Sequence, residues 1–263
     1  VASVSLANQF GFILFFVLKQ GLPSLNAAFF TQVPRPVGEA GGGMGNALLG
    51  TGMLIGIAAC FAVPVGILAG IFLSEFRKSA LSSAARFSAD VLNGVPSIVI
   101  GIFAYSVAVL PFRRFSALAG GLALGVMMIP LIVRTTEELL AMVPSALREG
   151  ALALGATRAR TVFRVILPAA FPGILTGILV ALARIAGETA PLLFTSFNNH
   201  YWSTRPDRPV ASLTVQVYTY AVSPFAEWHR QAWAGATVLV GAVLIFSVLA
   251  RMATSRLERM HRP

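Results

Sequence analysis

The longest uncharged stretch of the chain includes Gly41–Ser74, which reads GGGMGNALLGTGMLIGIAACFAVPVGILAGIFLS. A helix needs about 20 predominantly apolar residues to cross a hydrocarbon core of about 30 Å. This stretch is longer than that and contains no charge that would have to be neutralised in lipid. It therefore predicts a transmembrane helix.

Five further uncharged runs extend the same pattern along the chain, at 1–18, 91–112, 115–133, 165–183 and 231–250. Of the 263 residues, 56% are apolar and only 11% are charged. Ordinary soluble domains carry about 25% charged residues. We therefore predict an all-α integral membrane protein, a bundle of six transmembrane helices.

The predicted organisation follows from these runs. Residues 1–45 would hold the first transmembrane helix and an outer loop, 46–252 the main transmembrane domain, and 253–263 a basic tail. Within the main domain we expect spans at about 46–74, 88–111, 116–136, 168–195 and 231–251, and a loop at 144–168. Because the chain begins with Val1, we expect a fragment or a processed form.

Small residues and prolines predict how the spans pack. Glycine pairs spaced by four residues would let helix backbones approach closely. Prolines at 64, 96 and 130 are expected to interrupt three spans, since neighbouring helices can satisfy the freed carbonyls. The glycine pairs are Gly52/Gly56, Gly66/Gly70, Gly121/Gly125 and Gly173/Gly177.

The distribution of basic residues predicts the orientation. Twelve Lys and Arg residues fall in 74–90, 134–164 and the tail after 250, against seven in the opposite set of loops. Basic residues concentrate in cytoplasmic loops, so both termini are expected in the cytoplasm. The pair Arg113–Arg114 runs against this rule. Most of the net charge of +10 comes from the basic residues that set this orientation, and they would also attract anionic lipid headgroups. The charge therefore does not require a nucleic-acid partner.

Several kinds of chemistry are not expected from this chain. Its one cysteine, Cys60, excludes an intrachain disulfide, and its histidines, His200, His229 and His261, lack metal-ligand spacing. Neither lysine follows the G-x-x-x-x-G pattern of a phosphate-binding loop. We predict no metal, no cofactor bound by this chain and no ATP site, so that ATP and Mg²⁺ would be used by another subunit.

The most specific motif lies in the loop at 144–168. It reads Glu149-Gly-Ala-Leu-Ala-Leu-Gly155-Ala and closes on Val165-Ile-Leu-Pro168. This spacing resembles the EAA loop of binding-protein-dependent ABC importer permeases, with Gly150 and Val165 as mild departures. A short helix from about Ser145 would expose small residues for docking, and Gly155 would let the backbone turn. The residues expected to contact an ATPase subunit are Arg148, Glu149, Gly150, Ala151, Gly155 and Ala156.

A second group of polar residues lies at or near the ends of the spans. Arg184 would form an anion site, and Glu188, four residues later on a continuous helix, could pair with it. Either this pair contacts the substrate or it is a structural ion pair. Further candidates for the substrate pathway are Arg134, Thr135, Asn93 and Ser97.

Three stretches of the chain resemble the PstA family of phosphate-importer permeases. They run from Asp90 to Gly101, from Arg134 to Glu138, and from Arg184 to Thr195, the last reading RIAGETAPLLFT. The resemblance implies a non-catalytic permease of the type I ABC fold in the bacterial inner membrane, importing inorganic phosphate. It also implies four kinds of partner: a PstC-like sister permease, two PstB-like ATP-binding subunits, a PstS-like periplasmic phosphate-binding protein and the lipid bilayer.

Other functions remain as alternatives. An ABC permease for sulfate or molybdate would share the loop but not the run from Arg184 to Thr195. A secondary transporter would not need ATP. An intramembrane protease of the E-E-x-x-x-R type would need arginine where the chain has Met142.

Overall fold

The computed structural model describes residues 2–36, 39 and 41–260, and every regular element in them is helical. One 3₁₀ turn (Leu22–Ser24) and two π-helical turns (Tyr105–Val109 and Val162–Ile166) accompany the α-helices. The α-helices are α1 (Ala2–Gly21), α2 (Ala27–Thr31), α3 (Gly45–Glu75), α4 (Ala80–Gly94), α5 (Ser97–Ala104), α6 (Ala117–Met142), α7 (Ser145–Ala153), α8 (Arg158–Thr161), α9 (Leu167–Ala186), α10 (Ala190–Thr195), α11 (Leu213–Ala221) and α12 (Ala226–Met260).

Four helices in the described residues are long and apolar enough to cross a membrane. They are α3, α6, the run Arg158–Ala186 that joins α8 to α9, and the Ala226–Leu249 part of α12. A break separates α4 from the run Ser97–Val109, which begins with α5. These two helices supply a fifth span if they are counted as one. The first predicted span falls on α1. The second half of α1 and the 3₁₀ turn that follows it together form a shorter apolar helix, Gly11–Ser24. The all-α membrane architecture is confirmed, and six spans are consistent with these helices.

Two predicted spans are not single helices. The span at 88–111 breaks before Pro96, because proline disfavours the helical conformation of the residue before it; Val95 is extended at φ −70° and ψ 129°. The span at 168–195 stops at Ala186 and resumes as α10, where Pro191 occupies the first turn. A proline is tolerated there because the first helical N–H groups have no partner within the helix.

The prediction that Pro64 and Pro130 interrupt their spans is wrong, because both lie inside continuous helices. The predicted spans at 116–136 and 231–251 also end before their helices do, since α6 continues to Met142 and α12 to Met260. Hydropathy detects only the apolar part of a helix, whereas the backbone hydrogen bonds continue into the charged turns beyond it.

The chain divides into two compact units. The first comprises Val1–Ile57, Ser97–Ala123 and Ala186–Val243. Its core includes Phe29, Met44, Leu213 and Tyr220. The amide N–H of Leu213 donates to the Thr51 hydroxyl at 2.8 Å, which fixes the start of α11 against α3.

An ion-paired cluster in the loops of the first unit contains Arg114, one of the two arginines that run against the charge rule. Arg114 lies 3.6 Å from the Asp207 carboxylate, which also accepts a hydrogen bond from Arg205 at 3.2 Å. The hydrogen bond from Arg205, and more weakly the charge of Arg114, hold the pKa of Asp207 below its ordinary value. Arg114 therefore has a local ion-pairing role in addition to any effect on orientation.

The second unit comprises Ala58–Pro96, Leu124–Ile185 and Leu244–Pro263, and α6 packs against both α3 and α9 in it. A Cβ atom on Gly70 of α3 would lie 2.5 Å from the Thr136 Cβ, and one on Gly177 of α9 would lie 2.3 Å from the Thr135 Cγ2. At contacts this short, a side chain at either glycine would force the neighbouring threonine or its helix to move. The close approach predicted from Gly66/Gly70 and Gly173/Gly177 is confirmed, whereas a Cβ atom on Gly52 or Gly56 would meet nothing within 4 Å among the described residues.

Candidate functional site

The predicted helix–turn–helix of the EAA-like loop is present. α7 ends in a turn in which Gly155 takes a left-handed φ of +81°. The amide N–H of Gly155 donates to the Leu152 carbonyl at 2.9 Å, and that of Ala156 donates to the Ala151 carbonyl at 3.1 Å. These two bonds are the Schellman arrangement, in which glycine is favoured because it has no Cβ to clash. The position of Gly155 in the motif is thus explained by the backbone.

The far side of this turn begins a long helix. The Thr157 side chain accepts a hydrogen bond from the Arg160 amide at 3.3 Å and so caps α8. From Arg158 the chain runs through a π-helical turn into α9, and the whole run Arg158–Ala186 has 29 residues and is about 44 Å long. One continuous element therefore links the turn to Arg184 at the other end.

The outer face of α7 is uncovered in this chain. The small residues Ala146, Gly150 and Ala153 are exposed, as is Glu149. Beside them lies a group of exposed leucines, of which Leu154 at the tip of the turn is 91% accessible. A Cβ on Gly150 would have nothing within 4 Å. A surface of small and apolar residues of this kind fits close docking of another protein.

Arg148 differs from the other predicted coupling residues because it is engaged within the chain. Its Nη1 lies 2.5 Å from the Glu75 Oε1, and the two side chains are 33% and 18% exposed. This ion pair ties α7 to the end of α3. Ala151 and Ala156 are half-buried, so Glu149, Gly150 and Gly155 are the exposed members of the predicted set.

Arg184 lies in the last turn of α9 and is exposed. No ion pair or hydrogen bond of its guanidinium is present among the described residues. A cation at this end of a helix interacts favourably with the helix dipole. Since α9 stops at Ala186, the prediction that Glu188 follows on the same helix face is wrong. Glu188 is half-buried, and its carbonyl accepts a hydrogen bond from Thr214 at 2.8 Å.

Arg134 is held by two carboxylates. Its Nε lies 3.1 Å from Asp90 of α4, and its Nη1 lies 3.0 Å from Glu137 of α6. The second oxygen of Glu137 accepts from Arg86 Nε at 2.5 Å, and Arg86 Nη2 donates to the Leu73 carbonyl at 2.9 Å. Glu137 is only 11% exposed. The network joins the ends of three helices, so Arg134 is neutralised rather than free to hold an anion.

The remaining pathway candidates are spread over the chain. Thr135 packs its methyl group against Gly177. Asn93 is exposed near the end of α4 in the second unit, and Ser97 begins α5 in the first. Their role in a pathway stays a prediction.

Sequence reasoning misses two members of the charged network. It marks Arg86 only as a basic loop residue, and it marks Glu137 only through a protease motif. The spacing of three between Arg134 and Glu137 is a usable signal, because residues three apart are neighbours on a helix. No local signal connects Arg86 with Glu137, because 51 residues separate them.

Residues 62–260 match the family of binding-protein-dependent transport system inner membrane components. The chain is 47% identical over 241 residues to the phosphate transport system permease protein PstA of Yersinia pestis, covering 91% of this chain and 82% of the relative. It is 43% identical to PstA of Haemophilus influenzae, covering 91% and 85%. A probable PstA of Methanocaldococcus jannaschii is 38% identical, covering 92% and 85%.

Solved structures share the fold. An inward-facing structure of the MetNI methionine ABC transporter superposes with a TM-score of 0.61, 17% identity and coverage of 81% of this chain and 94% of that one. An amino acid ABC transporter superposes with a TM-score of 0.57 and 19% identity, covering 80% and 94%.

The family match over residues 62–260 and the relatives at 38–47% identity show the family. The chain belongs to the inner membrane components of binding-protein-dependent transport systems, and within them to the PstA permeases.

Proposed function

We propose that the chain forms one half of the membrane pathway through which an ATP-driven importer moves inorganic phosphate into the cytoplasm. The observation that carries this proposal is the 47% identity to a phosphate transport permease over 91% of the chain. As a permease it does not hydrolyse ATP itself. Its expected partners are a PstC-like permease, two PstB-like ATP-binding subunits and a PstS-like phosphate-binding protein.

The geometry of α7 supports coupling to a separate ATPase. Its exposed small residues would dock on an ATP-binding subunit in the cytoplasm, and both termini would lie on that side of the membrane. Movement of that subunit would reach α9 through the Schellman turn at Gly155, because the helix from Arg158 to Ala186 is continuous. The pair Arg148–Glu75 would carry the same movement to α3.

Arg184 is the best candidate of this chain for direct contact with phosphate. It is the charged side chain at the end of α9, and no described residue neutralises it. A guanidinium offers parallel N–H donors that match two oxygens of a phosphate. Arg134 is less suited, because Asp90 and Glu137 already occupy its donors.

A permease for sulfate or molybdate would use the same fold and the same coupling loop. The relatives favour phosphate, since three of them at 38–47% identity carry phosphate in their names. A secondary transporter is disfavoured because the matched family consists of components of binding-protein-dependent transport systems.

Arg184→Gln tests the pathway role, with Arg113→Gln as the matched control at another exposed arginine. We expect Arg184→Gln to abolish phosphate uptake by the reconstituted complex while the subunit still inserts and assembles. Arg113→Gln should keep uptake near the wild-type level. Unchanged uptake by Arg184→Gln would show that Arg184 serves the helix end rather than the substrate.

A further inference from the structure

A cavity of about 240 Å³ lies beside α7 in the second unit, with both polar and apolar side chains in its lining. It is lined by Glu75 at the end of α3, Arg148 and Leu152 on α7, and Arg158 and Thr161 on α8. A water molecule occupies about 30 Å³ of liquid, so the cavity has room for a tetrahedral oxyanion together with water.

The charged side chains that line the cavity carry a net positive charge. Arg148 is paired with Glu75, and these two charges offset each other. The guanidinium of Arg158 has no ion pair or hydrogen bond among the described residues. One positive charge therefore remains without a counter-ion at the edge of the cavity.

Thr161 adds a neutral donor. It is only 1% exposed, and its hydroxyl has no hydrogen-bond partner in the described part of the chain. A helical threonine commonly bonds back to the carbonyl four residues earlier, but here the Thr157 carbonyl accepts from the Thr161 amide alone. A buried hydroxyl without a partner is unfavourable, so a ligand that accepts its hydrogen is favoured.

The position of α8 indicates where such a ligand comes from. The helix that begins at Arg158 is about 44 Å long, which exceeds a hydrocarbon core of about 30 Å. Its opposite end carries Arg184, so the first turns of the helix reach the headgroup layer or the water beyond it. Phosphate oxygens are present there as lipid headgroups and as free phosphate.

We propose that this cavity is a binding site for a phosphate-type oxyanion, held by the Arg158 guanidinium and the Thr161 hydroxyl. The ligand is either inorganic phosphate or the phosphate group of a lipid. A guanidinium and a hydroxyl both donate to phosphate oxygens, and the ion pair of Arg148 with Glu75 closes the cavity on the α7 side. The site is separate from the proposed transport pathway, because Arg184 lies at the far end of the same helix.

Binding of ³²P-labelled inorganic phosphate to the purified full chain tests the site. The chain is delipidated and kept in a maltoside detergent, which contributes no phosphate. We expect saturable binding that weakens about tenfold or more in Arg158→Gln, which loses a charged hydrogen bond, and several-fold in the near-isosteric Thr161→Val. Arg158 and Arg160 are both exposed, but only Arg158 lines the cavity, so Arg160→Gln is the matched control for the lost charge and should leave the affinity unchanged.

Two further arms make the result decisive. Repeating the assay with every variant in an Arg184→Gln background removes the arginine proposed for the transport pathway, so that binding that remains saturable and sensitive to Arg158→Gln belongs to the cavity and is independent of the transport proposal. A short-chain phosphatidylglycerol that displaces the label more effectively than unlabelled phosphate would identify a lipid as the natural ligand; weaker displacement would identify free phosphate. An absence of saturable binding, or equal affinity in the wild type and in both site variants, would overturn the proposal.

Discussion

Arg86 of α4 and Glu137 of α6 form an ion pair with 2.5 Å between Nε and Oε1. The side chain of Glu137 is only 11% exposed. The same carboxylate also accepts from Arg134, and Arg86 reaches the carbonyl of Leu73 near the end of α3. Glu137 thus holds two arginines at the junction of three helices, and its loss would leave both of them without this shared carboxylate.

Glu137→Gln should therefore destabilise the folded chain markedly. Removing one partner of a buried ion pair costs about 3–5 kcal/mol, and we expect the lower end of that range because Arg86 keeps some contact with solvent. The measurement is thermal unfolding of the purified protein in detergent. Glu138→Gln is the matched control, since its neighbouring carboxylate is exposed. Equal melting temperatures for the two variants would contradict the structural role of Glu137.

Gly70→Ala should weaken the packing of α3 on α6. The new Cβ would lie 2.5 Å from the Thr136 Cβ, and forced overpacking of this kind costs about 1–3 kcal/mol. Gly56→Ala on the same helix should be neutral or slightly stabilising, because its Cβ meets nothing within 4 Å and alanine is the better helix former. Thermal unfolding of both variants tests this, and a Gly70→Ala protein as stable as Gly56→Ala would show that the two helices are farther apart.

Gly155→Ala should uncouple ATP hydrolysis from uptake. A left-handed backbone costs a residue with a Cβ about 1–2 kcal/mol, so the Schellman turn would distort and α7 would shift relative to α8. The measurement is the ratio of ATP hydrolysed to phosphate imported by the reconstituted complex, which should rise.

Two further variants separate the backbone conformation of the turn from the docking surface of α7. Gly155→Asn should restore part of the coupling, because asparagine tolerates the left-handed conformation better than alanine does. Gly150→Ala tests the docking face instead: within the chain its Cβ has free space, so stability should not fall, and any loss of coupling would come from the contact with the ATPase subunit. A normal coupling ratio in Gly155→Ala would show that the turn does not transmit the movement of the ATPase.

Much of the fold could be predicted from the sequence, because uncharged runs and bilayer thickness constrain helices directly. α3 begins and ends within one residue of the span predicted at 46–74. The turn at Gly155 was also predictable, since a glycine between two short helices has few other roles. The ends of α6 and α12 were not, because charged turns continue a helix without any change in hydropathy.

The candidate site was predictable only where it is local in sequence. The EAA-like loop gave the position of α7 and of Gly155. The geometry of Arg184 and Glu188 was predicted wrongly, because the helix ends at Ala186 and Pro191 starts a new one. The contacts Arg86–Glu137 and Glu75–Arg148 join residues 51 and 73 positions apart, and a single sequence carries no pattern that pairs them.

The most direct test of the central claim is ³²P-phosphate uptake into proteoliposomes that contain this chain with its sister permease, the ATP-binding subunits and the phosphate-binding protein. We expect uptake that requires ATP and the binding protein, and that a hundredfold excess of sulfate does not inhibit. Uptake that proceeds without ATP would contradict the coupling role of α7. Equal competition by sulfate would contradict phosphate as the specific cargo.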